Sequence, residues 1–176
     1  LYGVSGSSFY HINAAGVGTA IGGGIGPGSG RLGISENGTE IIIVDGVRGF
    51  TYEPGGAGYA PILSAGFLPS NTVTFLNSYF LLDALGTNGF FSSASDDGTT
   101  YDPTFFARAE TNSDNVEACL AHQQQLYIGG HKGIEIWQFN PNTAQFPWNR
   151  YPGAAIQTGT AGPFAACVQV TVSLPG

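Results

Sequence analysis

The chain has 176 residues, 42% hydrophobic and 12% aromatic, with only 10% Asp, Glu, Lys or Arg where an ordinary globular domain has about a quarter. That length supports one domain with a sizeable core, and the apolar content argues against disorder in spite of 28 glycines and 10 prolines. The formal net charge is −7, and the five cations (Arg31, Arg48, Arg108, Lys132 and Arg150) are scattered, so no basic stripe offers long-range attraction to nucleic-acid phosphate.

The chain opens within a strand-like run, "LYGVSG", without Met, and is expected to be a fragment or processed product. "SGSSFYHINAAG" follows, with a strand centre at Tyr10. The Gly-rich stretch at residues 14–31 has neither the Lys of a P-loop nor a following helix former, so it reads as short small-residue strands around a Gly/Pro turn. "ENGTEIIIVDGVRGFTYEP" gives a second centre at Ile42. Its continuous "EIIIV" run predicts a strand buried on both faces. "LNSYFLLDALGTNGFFSSASD" supplies a third centre at Phe80, and "HQQQLYIGGHKGIEIWQFN" a fourth at Tyr127.

Each unit has one form: polar turn, apolar strand, Gly-containing turn, second apolar strand. The centres are spaced by roughly 32, 38 and 47 residues, near the blade length of a β-propeller. Asp45-Gly46, the "TNG" at 87–89 and Gly129-Gly130 are expected to serve as hairpin turns that tolerate positive φ. "VEACLAHQQQLYIGG" is assigned to two strands around a turn at Gln123-Gln124, with one short helix as the alternative. In "IEIWQF", Glu135, Trp137 and Phe139 share one face and Ile134, Ile136 and Gln138 the other. The fold class is therefore all-β: about four blades of a propeller, residues 1–176 forming one partial domain of a longer chain.

Little in the chain points to chemistry. His11, His122 and His131 have no His or Cys partner at zinc spacing, and Cys119 and Cys167 sit in apolar strand contexts, with a disulfide left open. Asp96, Asp97 and Asp102 cluster in "SASDDGTTYD" but fail the EF-hand pattern, so a solvated Asx turn is expected there. Asp45, Glu53, Asp83, Glu110 and Glu135 are the carboxylates open to glycoside cleavage, whose required separation the sequence does not give. No GxSxG elbow occurs, and Asn37-Gly38-Thr39 falls in a hairpin turn without a secretory signal. No catalytic residue, cofactor site or metal site is assigned. No apolar window of 18 residues is present, so no transmembrane helix is expected.

The richest segment is "IEIWQFNPNTAQFPWNRYPGAAIQTGTAG", residues 134–162. Pro141 and Pro147 restrict its backbone, which lowers the ordering cost of a contact. Phe146, Trp148, Arg150 and Tyr151 form a candidate protein–protein anchor, since aromatics and Arg dominate interface energetics. Packing between blades is the competing reading for Trp137, Phe146 and Trp148.

The same segment, through Glu135-Ile136-Trp137, Phe146-Pro147, Arg150, Gly153-Ala154, Ile156, Gly159 and Pro163-Phe164, resembles the tail accessory factor, or packaged DNA stabilisation protein, family of short-tailed bacteriophages. "GRLGISENGTEIIIVDGVRGFTYEP" and Phe106 to Glu110 continue the likeness, which runs in order over about residues 30–165. The chain departs from that pattern at Trp148-Asn149, where the family has Phe-Glu, and within Thr158 to Pro163. The resemblance implies a propeller in the virion's tail machine. It would form a homo-oligomeric ring below the portal and its adaptor, helping to retain packaged DNA and contacting distal parts such as a tail needle, tailspike or fibre. It implies assembly in the host cytoplasm, no membrane, and no sequence-specific nucleic-acid binding. The alternative from a different class is a carbohydrate-binding or glycoside-cleaving propeller, with Trp148 and Tyr151 stacked on sugar rings.

Overall fold

The computed structural model describes residues 1–26, 30–111, 114–143 and 146–165. Among them are fifteen strands and no helix. A first, three-stranded sheet holds β1 (Tyr2–Ser5), β2 (Ser8–Ile12) and β3 (Gly18–Gly23). The second holds β4 (Gly33–Glu36), β5 (Ile41–Val44), β6 (Gly49–Glu53) and β7 (Gly58–Pro61). The third holds β8 (Val73–Leu76), β9 (Tyr79–Ala84), β10 (Gly89–Ser92) and β11 (Phe106–Arg108). The fourth holds β12 (Ala118–His122), β13 (Gln125–Gly129), β14 (Ile134–Phe139) and β15 (Trp148–Ile156). Each sheet is an antiparallel meander in sequence order.

The sheets stack face to face. β4 lies beside β8 and β8 beside β12, so the first strands of the four-stranded sheets line a common axis, while β3 lies against β7 at the periphery. One apolar cluster fills each gap. Phe9, Ile25, Ile41, Ile43 and Phe50 separate the first two sheets. Ile42, Val44, Phe80, Leu82 and Phe91 separate the second and third. Leu81, Phe90, Leu126, Ile128, Trp137 and Trp148 separate the third and fourth. β5 is buried on both faces as its unbroken run predicts, alternate isoleucines entering opposite gaps. Burying each of these side chains contributes about 1.5–3 kcal/mol, so the gaps rather than the hairpins alone hold the stack.

The phase of the first repeat differs from the expectation. The sequence pattern aligns Tyr10 with Ile42, which lies on the second strand of its sheet. In the structure the ring of Phe9 on β2 packs on Tyr52 of β6 and Tyr59 of β7, at 5.5 and 6.1 Å between centroids. The Tyr59 hydroxyl donates to the Gly23 carbonyl at 3.1 Å, and Gly22 lies where any Cβ would strike the Tyr59 ring. β1, β2 and β3 therefore match the second, third and fourth strands of the other sheets. The hairpin pair Ser5–Ser8 matches Asp45–Arg48, 40 residues later. The sequence misleads because β1, "YGVS", carries fewer large apolar side chains than "SFYHI", so the hydrophobic peak falls one strand late.

The turns divide in the same way. Gly46 has φ +86°, as expected of Asp45-Gly46, and in the β9–β10 turn the left-handed residue is Gly86, not one of residues 87–89. Gly89 instead lies under the Phe106 ring, and Gly130 against Asp114 and the Asn115 carbonyl, where a Cβ would collide. The β12–β13 turn is where it was expected, with Gln123 and Gln124 at φ +47° and +63°.

Strand direction gives the molecule two unlike rims. The turns β1–β2, β5–β6, β9–β10 and β13–β14, with the linkers between sheets, lie at one end of the strands. We call it the turn-and-linker rim. The remaining hairpins lie at the other end.

Candidate interaction surface

Three carboxylates latch the sheets together. Asp45, at the end of β5, accepts the Gly26 amide of the incoming linker at 2.7 Å and the Arg48 and Val47 amides of its own turn at 2.7 and 2.9 Å. Asp83 on β9 accepts the Thr72 amide at 2.6 Å, the Thr72 hydroxyl at 2.8 Å and the Asn71 amide at 3.1 Å. Glu135 on β14 accepts the Glu110 amide at 2.7 Å, the Thr111 amide, and Trp137 Nε1 at 3.0 Å. In each case a sheet grips the linker that leads into it. The grip is needed because linker amides buried beside a sheet edge have no ladder partner. Each linker also bonds the turn of the sheet it leaves: Ile25 N to Ser7 O, Gly46 N to Ser70 O, Val116 N to Thr87 O and Thr160 N to Gly130 O.

These bonds change the reading of the carboxylates. Asp45, Asp83 and Glu135 serve three different sheet boundaries and do not share a cleft. Glu53 accepts the Ala57 amide of its own turn. Glu40, which the sequence did not single out, reaches across a boundary to accept the Gly98 amide at 2.7 Å, and burial pushes its carboxyl above the usual range. Burial pushes Asp83 up as well, past the opposing pull of its Thr72 and Asn71 bonds. Asp45 is also raised by burial, but the Arg48, Gly26 and Val47 amides and the Arg48 charge outweigh it and leave the group below the usual range. A sequence signal for the latches exists only in part: Asp45 and Asp83 are acids at or near the end of an apolar strand, before a turn, but Glu135 follows its turn.

Asp97 and Asp102 each cap a threonine two residues on, through its amide and hydroxyl, as solvated Asx turns do. Asn37 does the same for Thr39. His131 Nε2 lies 3.2 Å from Glu117, and no grouping of three or more His, Cys, Asp or Glu able to hold a metal occurs among the described residues. Cys119 is buried, and Cys167 lies outside the described residues.

The four residues of the aromatic anchor part company. Trp148 is 2% exposed, its ring edge-on to Phe139 at 5.5 Å, and Phe146 packs edge-on to Phe90 at 5.5 Å. Both belong to the gap between the third and fourth sheets. Trp137 is in the same gap, edge-on to Phe90 at 4.8 Å. Arg150 and Tyr151 are at the surface, 46% and 45% exposed. The Arg150 guanidinium lies 3.8 Å from Glu135 and 3.5 Å from the Thr111 hydroxyl.

Tyr151 stands on a bulge. β14 and β15 pair Trp137 with Arg150 and Glu135 with Ala155, so Ile136 alone faces Tyr151 to Ala154. Gly153, at φ +74°, lets the loop turn back. On one side is a groove of about 380 Å³ that includes Thr111, Arg150, Tyr151 and Gln157. On the other, Arg108, Glu110, Trp137, Asn149 and Arg150 line one of about 350 Å³.

The sequence model of a protein family described as "Phage_stabilise: Bacteriophage P22 Gp10, beta-propeller" matches residues 1–172. No curated protein matches the chain. Among solved structures, one described as "YCF48 bound to D1 peptide" superposes with a TM-score of 0.58 at 14% identity, over 82% of this chain and 47% of that one. Hsv2 of Kluyveromyces lactis superposes with a TM-score of 0.46 at 15% identity, over 75% of this chain and 36% of that one. The chain thus spans about half the length of the first of these, and the likeness is one of fold.

Proposed function

Because the chain belongs to the bacteriophage P22 Gp10 β-propeller family, we propose that it is a non-enzymatic structural part of a virion's tail, extending or closing the channel below the portal and helping to retain packaged DNA. The family match along nearly the whole chain is the observation that carries this reading. The structure supports it physically. A channel component has to hold its shape under load from packaged DNA, and here each of the three four-stranded sheets is bonded to the linker before it by a covered carboxylate. Asp45, Asp83 and Glu135, three of the carboxylates open to glycoside chemistry, are held by linker amides at separate sheet boundaries, and Trp148 is buried and not available to stack on a sugar.

The reading includes a larger propeller in an oligomeric ring, touching adaptor and distal tail proteins. Support for more sheets comes from the fourth one. Its outward face carries Leu120, Tyr127 and Ile136 in register across three strands, all only half-buried. The linker leaving it is bonded at Thr160 as its predecessors are at theirs.

The test is removal of the gene from the phage that encodes this chain. Particles are expected to fill with DNA and then lose it, measured as nuclease-sensitive DNA in purified heads, and complementation should restore retention. Mutant particles that keep their DNA and infect normally would overturn the proposal.

A further inference from the structure

The charges that are scattered in sequence are sorted in space. Arg31 lies in the first linker, Arg48 and Lys132 in the β5–β6 and β13–β14 turns, and Arg108 at the end of β11. The Arg150 guanidinium reaches the linker at Thr111. All five cations of the chain are therefore on or directed to the turn-and-linker rim. Of that rim's acids, Asp45, Asp83 and Glu135 are covered and bonded to amides, which leaves Glu110, Asp114 and Glu117 at the surface. The opposite hairpins carry Glu36, Glu40, Glu53, Asp96, Asp97 and Asp102, with no Lys or Arg.

A cluster of exposed apolar side chains lies with the cations, although Leu1 and Val17 are exposed at the opposite end. Val47, Leu68 and Leu85 are 68%, 37% and 43% exposed. They are held together because the Gly46 amide bonds Ser70 O and the Leu85 amide bonds Pro69 O, both at 2.9 Å, which draws two turns onto one linker. Arg48 stands beside Val47. An apolar centre beside an arginine, on a rim that carries the chain's cations, has the make-up of a protein interface core, while a rim with only negative charge repels acidic surfaces.

We propose that the turn-and-linker rim, centred on Val47, Arg48, Leu68 and Leu85, is the face through which this protein docks on an acidic surface of a neighbouring tail protein. The opposite rim is left facing solvent or the phosphate-lined path of the DNA. This inference rests on the tail reading and gives it a direction.

The experiment introduces two double variants separately into the phage: Val47→Asp with Leu85→Asp on one rim, and Glu36→Lys with Glu53→Lys on the other. Copies of this protein per purified particle are counted by quantitative mass spectrometry, beside the gene deletion. All four sites are exposed, and Val47→Ser with Leu85→Ser provides a milder second version of the first variant. The turn-rim pair should lower incorporation at least tenfold, with the serine pair intermediate, while the opposite pair changes it less than twofold. Loss with the opposite pair, equal loss with both, or wild-type incorporation of the turn-rim pair would overturn the inference and leave the tail reading intact. A deletion mutant that retains its DNA would remove the tail reading itself. Fluorescence anisotropy with a 30-base-pair duplex separates the other class of partner: tight binding by the wild-type chain that Val47→Asp with Leu85→Asp abolishes would assign the rim to nucleic acid and overturn the protein partner.

Discussion

The latches at Asp45 and Asp83 perform one task in two environments. Each accepts amides from the linker entering its sheet. Asp45 sits at the rim in a tight turn, where three amides and the Arg48 charge hold it ionised. Asp83 has no exposed surface, and burial dominates its titration although its bonds are as short. Hydrogen-bond geometry alone therefore does not fix whether a buried carboxylate favours the folded state as an anion; the depth of its burial does.

The largest break in this comparison should come from Asp83→Ala. It strands the Thr72 amide and hydroxyl and the Asn71 amide. Thr72 Oγ1 also accepts the Cys119 amide at 3.0 Å, so the loss extends into the fourth sheet. Urea denaturation should show a loss of about 3 kcal/mol or more. Asp45→Ala, at a rim where water can reach the freed amides, should cost about 1–2 kcal/mol. Equal costs would mean that the two sites do not differ in depth as described.

The pH dependence sharpens the comparison, because the two signs are opposite. Asp45 has a folded pKa below its unfolded one, so its contribution is present above the ordinary carboxylate range and is lost as pH falls through the folded value. Asp83 has a folded pKa above its unfolded one, so its contribution is greatest at acid pH and declines as pH rises through the raised value. Stability measured against pH should depart from the wild type on opposite sides of the carboxylate range, at neutral pH for Asp45→Asn and at acid pH for Asp83→Asn. Curves that depart on the same side would contradict the assignment. The smallest effect belongs to Tyr151→Ala on the exposed bulge, expected to stay within about 0.5 kcal/mol of the wild type.

Much of the fold was legible in the sequence. The β5 run, the alternation along β14 and the turn at Gln123-Gln124 all follow from local pattern, because side-chain period and burial are local properties of a strand. The phase of the first repeat was not, since a sparse strand beside a dense one hides which position it fills. The direction of Trp148 was not legible either. Once β14 sets its register, Trp148 is opposite Phe139, but the bulge that frees Tyr151 depends on a mismatch between two strands. The latches were only partly legible for a related reason: Asp83 meets amides 11 and 12 residues earlier, and Glu135 amides 24 and 25 residues earlier, through a linker path the sequence does not specify. Nor does charge order along the chain reveal that every cation lies on or reaches toward one rim.

Native-state hydrogen exchange at the gripped linker amides tests the account most directly. Gly26, Asn71, Thr72, Glu110 and Thr111 lie outside all strands, so ordinary loop behaviour would exchange them quickly. If the carboxylates lock the sheets together, these amides should be protected to nearly the level of the β5 and β9 cores, and Asp83→Ala should release Asn71 and Thr72 first. Exchange as fast as that of the exposed turn amides in the wild-type protein would show that the linkers are not gripped.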